Sequence, residues 1–278
     1  MKYLITGGSG QLGYDLIKEL KKDSQNEIYA PSSLEMNILD KDKVEEIILN
    51  FKPDYIFHCA AYTAVDNANI ECDKCYNINV LGTANIAHAA KQIDAKVIYI
   101  STDYVFNGQK KGEYYPDDKC EPINVYGYTK YLGEQEIINQ LHNHLIARIS
   151  WTFGINGKNF IKTMLKLAEN GKQEISVVCD QIGSPSYTID IVKVLVELKE
   201  EIGIYHITNE GYCSWYELAK FVFSESGYDI EVCPITSEEY TAKTKRPLNS
   251  RLNKDKIKNK LPHWQDGVKR FLKELKGE

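Results

Sequence analysis

The chain has 278 residues, 43% of them hydrophobic, enough to bury one large core or two interlocked ones. A formal net charge of −5 gives no basic footprint for nucleic acid, and no run of roughly 18 or more apolar residues offers a membrane span. The 7 cysteines are odd in number and scattered, which points to reduced thiols; with a first strand that opens at Lys2 and no signal-peptide pattern before it, a cytoplasmic protein is expected.

The first predicted strand, Lys2 to Ile5, runs into Thr6-Gly7-Gly8-Ser9-Gly10-Gln11-Leu12-Gly13 and then into a helical stretch from Tyr14 to Leu20. Two glycine spacings fit a dinucleotide fingerprint, Gly8-x-Gly10-x-x-Gly13 and Gly7-x-x-Gly10-x-x-Gly13. Either would let backbone approach a pyrophosphate at a helix N-terminus. An ordinary strand-to-helix turn is the plainer alternative; the position directly after an apolar strand favours a nucleotide.

A second strand, Glu27 to Ala30, ends in Pro31-Ser32-Ser33. No carboxylate precedes Glu35 to select an unphosphorylated ribose, and no Arg stands there to hold a 2′-phosphate, so both nicotinamide cofactors remain open, with NADPH slightly favoured. The two serines could bond a phosphate or cap a turn. A helix is expected over Lys41–Phe51, and then a strand over Tyr55–Ala61 with almost no polar relief, as in a parallel sheet covered on both faces. His58 within it reads as a buried, satisfied histidine. The small residues at Ala60 and Ala61 suit backbone close to a cofactor, and one helix is expected from about Cys72 to Gln92, with Asn77 and Asn79 bonding backbone at the sheet. Cys72-x-x-Cys75 has no second pair to complete a zinc site.

The strand Lys96–Ile100 leads into Ser101-Thr102-Asp103-Tyr104, so the Thr102 hydroxyl lies beyond the carboxyl end of a strand, where ligands bind in open parallel sheets. A helix follows from Val125 to Leu141, and it carries Tyr126 and Lys130 on one face. A free phenol has a pKa of about 10, so the expectation is that the Lys130 ammonium stabilises the Tyr126 anion. Tyr14–Lys18, Tyr115–Lys119 and Tyr216–Lys220 have the same spacing, and only context favours Tyr126–Lys130: Pro122 blocks helix before it, and a strand and loop lead to it. Beyond it, Ser150–Gly154 is expected to continue the sheet. Helices are expected over Phe160–Glu169, Ile189–Glu200 and Trp215–Glu225, the last capped by Ser214. Lys243, Lys245, Arg246 and Arg251 form a basic cluster suited to a diphosphate.

With the glycine turn, Thr102 and Tyr126-x-x-x-Lys130 in this order, the chain resembles the extended short-chain dehydrogenase/reductase superfamily. Within it, the chain is similar to the dTDP-4-dehydrorhamnose reductase family, through Ser101–Phe106, Ser150-Trp151, Gly157-Lys-Asn159-Phe160, Asp180-Gln181-x-Gly183-x-Pro185, Arg246-Pro-x-Asn249-Ser-Arg251-Leu252 and Leu261-Pro-x-Trp264-Gln265. These motifs span nearly the whole chain.

The resemblance implies an α/β fold: a Rossmann-like doubly wound parallel sheet over residues 1–170, and a smaller C-terminal α/β lobe over 171–278 that binds mainly substrate. The chain would pass between the lobes more than once. It implies Tyr126 as proton donor, Lys130 on the nicotinamide ribose, and Thr102 polarising a sugar carbonyl. The cofactor would meet Gly7, Gly10, Gln11, Leu12, Gly13, Ser32, Ser33, Asn37, Ile38, Ala60, Ala61, Tyr62 and Thr63, besides Tyr126 and Lys130. Val65, Thr102, Asp103, Tyr104, Trp151, Arg246, Asn249 and Arg251 would face a nucleotide sugar. A homodimer is left open.

Two positions depart from the family. Asn37 stands where an adenine-contacting Asp is frequent, and Ser33 where a phosphate-binding Arg is frequent. Some relatives bridge a dimer through Mg²⁺ on three carboxylates; Asp15 and Glu274 match two of these and the third falls on Ile189, beside Asp190, so no metal is expected. The rival readings are a sugar-nucleotide epimerase or dehydratase of the same superfamily, and a non-catalytic subunit like the regulatory subunit of methionine adenosyltransferase. Tyr104, where a dehydratase usually carries an acid, argues against the dehydratase; the trio Thr102, Tyr126 and Lys130 argues for an enzyme.

Overall fold

In the computed structural model, residues 1–240 and 244–277 are described. Strands β1 (Lys2–Thr6), β2 (Glu27–Tyr29), β3 (Tyr55–His58), β4 (Lys96–Thr102) and β5 (His144–Ile149), with Gly203–His206, form a 6-stranded sheet. Its order is Gly203–His206, β5, β4, β3, β1, β2, and every pairing is parallel. The architecture is the doubly wound one expected. β3 and β4 are buried at every position, which is why their sequence lacks polar alternation. Side chains along β4 part by turns into two cores: Ile98 and Ile100 join Leu12, Leu16 and Ile191 on one face, while Val97 and Tyr99 join Val44, Ile48 and Ile86 on the other.

The chain leaves β1 for β2 on one side and returns to β3 on the other, so β1 and β3 flank the switch point where a ligand crevice opens. Helix α1 (Gln11–Leu20) follows β1 directly. The helix Val125–Gln140 is fastened to the sheet from within: Arg148 of β5 donates to both oxygens of Glu134 at 2.9 and 2.8 Å, and Ser101 donates to Glu134 at 2.5 Å. Both members of this ion pair are fully enclosed, so removal of one would leave a buried charge, a loss of about 3–5 kcal/mol.

A third core, with Phe153, Met164, Leu218, Val222 and Phe271, lies within the smaller lobe among the helices Phe160–Glu169, Trp215–Ser226 and Trp264–Lys276. The helix Thr188–Glu197 and the strand Gly203–His206 return to the large sheet. The smaller lobe is therefore contributed by two separate stretches, before and after that return.

Two expected elements differ. Ser150–Gly154 does not extend the sheet: Trp151 has φ +46, which turns the chain out of plane, and Thr152–Phe153 pairs with Ser186–Tyr187 instead. The helix expected over Cys72–Gln92 is interrupted by a π-helical turn at Asn77–Leu81, between Cys72–Tyr76 and Gly82–Gln92. That turn brings Asn79 inward. Its side chain accepts from the Tyr62 N–H at 2.8 Å and donates to the Tyr62 carbonyl at 3.2 Å and to Thr129 at 3.0 Å, tying the loop after β3 to the Tyr126 helix.

Candidate active site

The turn from β1 into α1 is shaped by absent side chains. Gly7 has φ +68, and a Cβ there would lie 2.7 Å from the Ala60 nitrogen; a Cβ at Gly13 would lie 2.4 Å from the Gly7 carbonyl oxygen. The Gly10 N–H donates to that same oxygen at 2.9 Å. Of the two spacings open in the sequence, Gly7-x-x-Gly10-x-x-Gly13 carries the tight contacts, whereas Gly8 meets only side-chain carbons at 3.0 and 3.1 Å. Gly10, the N-cap of α1, offers no side chain to the first N–H groups, leaving an open anion site that fits a pyrophosphate. Gln11 and Leu12 form the first turn behind it.

The loop after β3 closes the other side. Thr6 accepts from the Ala60 N–H at 3.1 Å and shares a 2.7 Å hydrogen bond with His58, whose other ring nitrogen lies 3.1 Å from Thr83. His58 is thus the satisfied core histidine expected, and burial pushes its pKa down to about 3. Ala61 and Tyr62 follow toward the crevice, and the Thr63 side chain is exposed.

After β2, Ser32 and Glu35 bond each other: the Ser32 N–H donates to Glu35 at 2.7 Å, the turn-capping alternative. Ser33 is exposed, Asn37 accepts from the Leu39 N–H at 3.1 Å, and Ile38 packs against Gly82. Sequence reading gave no site role to Asn156 and Asn159. Asn156 donates to the Ser9 carbonyl at 2.6 Å and Asn159 to the Gln11 side chain at 3.1 Å, so a loop from beyond β5 lies over the glycine turn. Their only local signal is the Asn-Gly turn itself, with Gly157 at φ +76.

Asn124 caps the Tyr126 helix by accepting from the Gly127 N–H at 2.8 Å. A Cβ at Gly127 would lie 2.1 Å from the Tyr104 carbonyl oxygen, so the helix start sits directly on the turn that follows Thr102. The Tyr104 and Tyr126 rings meet edge to face at 5.7 Å. The Thr102 hydroxyl donates to Asp103 at 3.0 Å and accepts from the Tyr104 N–H at 3.2 Å. Asp103 is buried with one carboxylate oxygen unpartnered, and burial pushes its pKa up to about 6.

The electrostatics depart from expectation. Burial holds the Tyr126 phenol above its ordinary pKa, and the group that opposes this is the Thr102 hydroxyl rather than Lys130. Lys130 is itself enclosed; burial pulls its ammonium down to about 7 against the pull of Glu134, and it rests 4.0 Å over the Tyr99 ring. The rival pairs lie at the surface: Lys18 covers the ring of exposed Tyr14 at 4.6 Å, Lys220 covers Tyr216 at 5.3 Å, and Lys119 pairs with Glu121 beside exposed Tyr115.

On the substrate side, Trp151 follows β5, whose last residue Ile149 is the register partner of Thr102. Arg246 already has protein partners: it donates to both oxygens of Asp66 at 2.9 and 2.8 Å and to the Thr244 carbonyl at 3.2 Å. This pins the Arg246 segment to the short helix Val65–Ala68, where the Val65 carbonyl accepts from Thr244 at 3.4 Å. Asn249 donates to the carbonyls of Lys110 and Gly112 at 2.6 and 2.7 Å and accepts from the Arg251 Nε at 2.8 Å. Asn249 therefore orients Arg251, whose terminal nitrogens have no hydrogen-bond partner among the described residues. Lys243 of the basic cluster lies outside the described residues.

The two acids matched to a metal, and Asp190 beside the unmatched third position, each have a partner: Asp15 accepts from Thr188 at 2.5 Å, Glu274 from Tyr187 at 2.5 Å, and Asp190 from Arg270 at 2.9 and 2.6 Å. Among the described residues no group of three or more His, Cys, Asp or Glu could hold a metal ion, and no helix is long and apolar enough to cross a membrane.

A parallel sheet of this order, with an open glycine turn at its switch point and the Tyr126 helix packed on the turn that follows Thr102 of β4, is the build of a short-chain dehydrogenase/reductase. Residues 1–276 match the family described as the RmlD substrate binding domain. The chain is 42% identical, over 98% of its length and 97% of the other, to the spore coat polysaccharide biosynthesis protein SpsK of Bacillus subtilis, and 40% identical, over 99% and 98%, to a dTDP-4-dehydrorhamnose reductase of Aggregatibacter actinomycetemcomitans. A crystal structure of dTDP-4-dehydrorhamnose reductase from Bacillus anthracis in complex with NADP superimposes with a TM-score of 0.95 at 39% identity, over 98% of this chain and 99% of that one. This chain belongs to the dTDP-4-dehydrorhamnose reductase family.

Proposed function

We propose that the protein reduces the C4 keto group of a nucleotide-linked 4-keto-6-deoxy sugar, converting dTDP-4-dehydro-L-rhamnose to dTDP-L-rhamnose with NADPH or NADH. The observation that carries this reading is that the start of the Tyr126 helix packs on Tyr104, in the turn directly after Thr102 at the carboxyl edge of β4, in a sheet whose first strand ends in a glycine turn open to a pyrophosphate. The relative bound to NADP supports a nicotinamide cofactor, which when bound supplies the hydride. Gly7, Gly10 and Gly13 admit its pyrophosphate to the start of α1, and the Ala60–Thr63 loop lies along it. Lys130 holds the ribose.

The chemical task of the chain is to place the carbonyl and to protonate the alkoxide that develops on its oxygen. The Thr102 hydroxyl, turned from Asp103, and the Tyr126 phenol both donate toward that oxygen, and the phenol gives up its proton. A raised phenol pKa suits this direction of reaction, because a proton donor must hold its proton until the alkoxide forms. Asp103, Tyr104, Trp151 and Arg251 face the sugar nucleotide, and Arg251 bonds the diphosphate.

In this reading residues 1–170 serve mainly the cofactor and 171–278 mainly the sugar nucleotide. A dinucleotide-dependent enzyme with free thiols belongs in the cytoplasm, and the similarity to SpsK supports a product destined for polysaccharide. The test is a mixture of the protein, dTDP-4-keto-6-deoxyglucose, a 3,5-epimerase and each reduced cofactor in turn. Cofactor oxidation that depends on the epimerase is expected; an unchanged mixture overturns the substrate.

A further inference from the structure

The Trp151 indole is held from two sides. On its face lies Trp215, with ring centroids 3.6 Å apart and planes at 8°. On its edge lies Gly183, where a Cβ would approach Trp151 Cε2 to 2.6 Å and Nε1 to 2.8 Å. Any side chain at 183 would displace the ring. Phe160 packs on Trp215 at 4.7 Å, and Trp215 opens a helix whose first turn is fixed by the reciprocal cap between Ser214 and Glu217.

These two contacts are mechanically one. Cys213–Ser214, just before Trp215, pairs antiparallel with Ile182–Gly183, so the residue that stacks and the residue that makes room move together. The same short strand reaches the Arg251 segment: Ile182 donates to the Leu248 carbonyl at 2.8 Å and accepts from the Ser250 N–H at 2.7 Å. Both tryptophans pack against the core of the smaller lobe yet remain half-buried, so the stack keeps exposed aromatic surface. Trp151 also holds a left-handed backbone, an unfavourable state for a bulky residue that its surroundings must impose.

We propose that Trp215 and Gly183 are positioning residues for nucleotide-sugar binding: together they lock the Trp151 indole as a fixed wall of the substrate site. This rests on the reading above that Trp151 faces the sugar nucleotide. A locked indole loses no freedom when the ligand arrives, whereas an unlocked one must be ordered at the expense of affinity.

The test uses the whole enzyme. Stacked indoles give an exciton couplet in circular dichroism, and Trp215→Ala should abolish it while raising the nucleotide-sugar KM about three- to tenfold, with kcat and NADPH affinity essentially unchanged. Trp215→Phe keeps an aromatic face and should restore most of the KM; Gly183→Ala keeps both indoles and should still raise it. The inference is overturned if Trp215→Ala loses the couplet at unchanged KM, or if kcat, KM and NADPH affinity deteriorate together without rescue by Phe. Trp151→Ala separates the two levels of the argument. Normal affinity in that variant removes Trp151 from the site and the inference with it, while weakened binding there beside normal binding in Trp215→Ala overturns the inference alone. Should the wild type fail to turn over the dTDP sugar, the proposed function falls, and titration with dTDP-L-rhamnose, read by the couplet and by affinity, still decides whether the stack serves a nucleotide sugar.

Discussion

In the proposed function the glycine turn and the Trp151 wall serve one site, but the first is made of consecutive residues and the second of segments from distant parts of the chain. At the turn, close approach is backbone against backbone: the Gly13 hydrogen faces the Gly7 carbonyl, and the Gly7 hydrogen faces the Ala60 nitrogen. At the wall, close approach is ring against ring, with Gly183 leaving the space. Backbone held in a sheet cannot yield, whereas rings can slide. Substitutions at the turn should therefore act abruptly on the cofactor, and substitutions at the wall should act by degrees on the substrate.

The largest effect is expected where the two regions meet. Tyr126→Phe should lower kcat by at least about a hundredfold and leave NADPH and dTDP affinities near their wild-type values, since the lost oxygen matters only when the alkoxide is protonated. Steady-state kinetics with separate binding titrations would measure this. Full turnover in the variant would move the proton donor elsewhere, and Tyr104, whose ring lies 5.7 Å away, would be examined next.

Gly13→Ala sharpens the comparison itself. The added carbon would meet a carbonyl oxygen at 2.4 Å, so the turn must open, and NADPH affinity should fall by about one to two orders of magnitude while dTDP binding is retained. Unchanged NADPH affinity would show that the turn can yield after all, and the contrast with the wall would be lost.

The turn could be read from sequence because its function lies in local spacing: glycines at 7, 10 and 13 after an apolar strand say where backbone must come close. The apolar runs of β3 and β4 and the Ser214 cap were readable for the same reason. The wall was readable only in part. Trp151 stood out as a motif residue, but its turn out of the sheet depends on Trp215 and Gly183, whose positions along the chain carry no hint of contact. Arg246 has a partner that is just as hidden: a cluster of positive residues suggests an anion, and nothing local reveals that Asp66, 180 positions earlier, bonds the guanidinium. The π-helical turn at Asn77–Leu81 keeps an apolar helical pattern on both flanks, so its presence emerges only from where Asn79 must reach. The electrostatics of Tyr126 and Lys130 depend on burial, which spacing does not report.

Arg251 and Arg246 split the wall into a ligand-facing part and a fastening part. Arg251→Ala should weaken dTDP binding about tenfold or more, because its terminal nitrogens have no partner among the described residues while Asn249 holds its Nε. Arg251→Lys should recover only part of this, since it lacks the planar fork. Arg246→Ala should act less on dTDP and more on thermal stability, through loss of its bond to Asp66. Equal losses of dTDP affinity in the two Ala variants, measured by calorimetry, would refute the split.

The smallest effect concerns Lys130 and distinguishes cofactor from substrate through pH. Burial lowers its pKa to about 7, so in the free enzyme the ammonium discharges as pH rises through that value. Its buried neighbours do not confuse the window: burial pushes the Cys59 thiol up to about 12 and raises Cys75 as well, so both stay neutral, and Glu134 is held by Arg148. If the charged form holds the ribose, the apparent NADPH dissociation constant should rise about fivefold between pH 7 and pH 8, and binding near pH 7.5 should take up protons as the cofactor restores the ammonium. Calorimetry in two buffers of different ionisation enthalpy measures that uptake; dTDP binding should show none from this source. Stability has its own sign: below about pH 7 the fold carries the full cost of the buried ammonium, and the cost is relieved as pH rises toward the ordinary lysine value, because the unfolded chain then binds the extra proton. Lys130→Met should remove both the proton uptake and this rise in stability. Proton uptake that persists in the Met variant would assign the titration to another group and detach Lys130 from the cofactor.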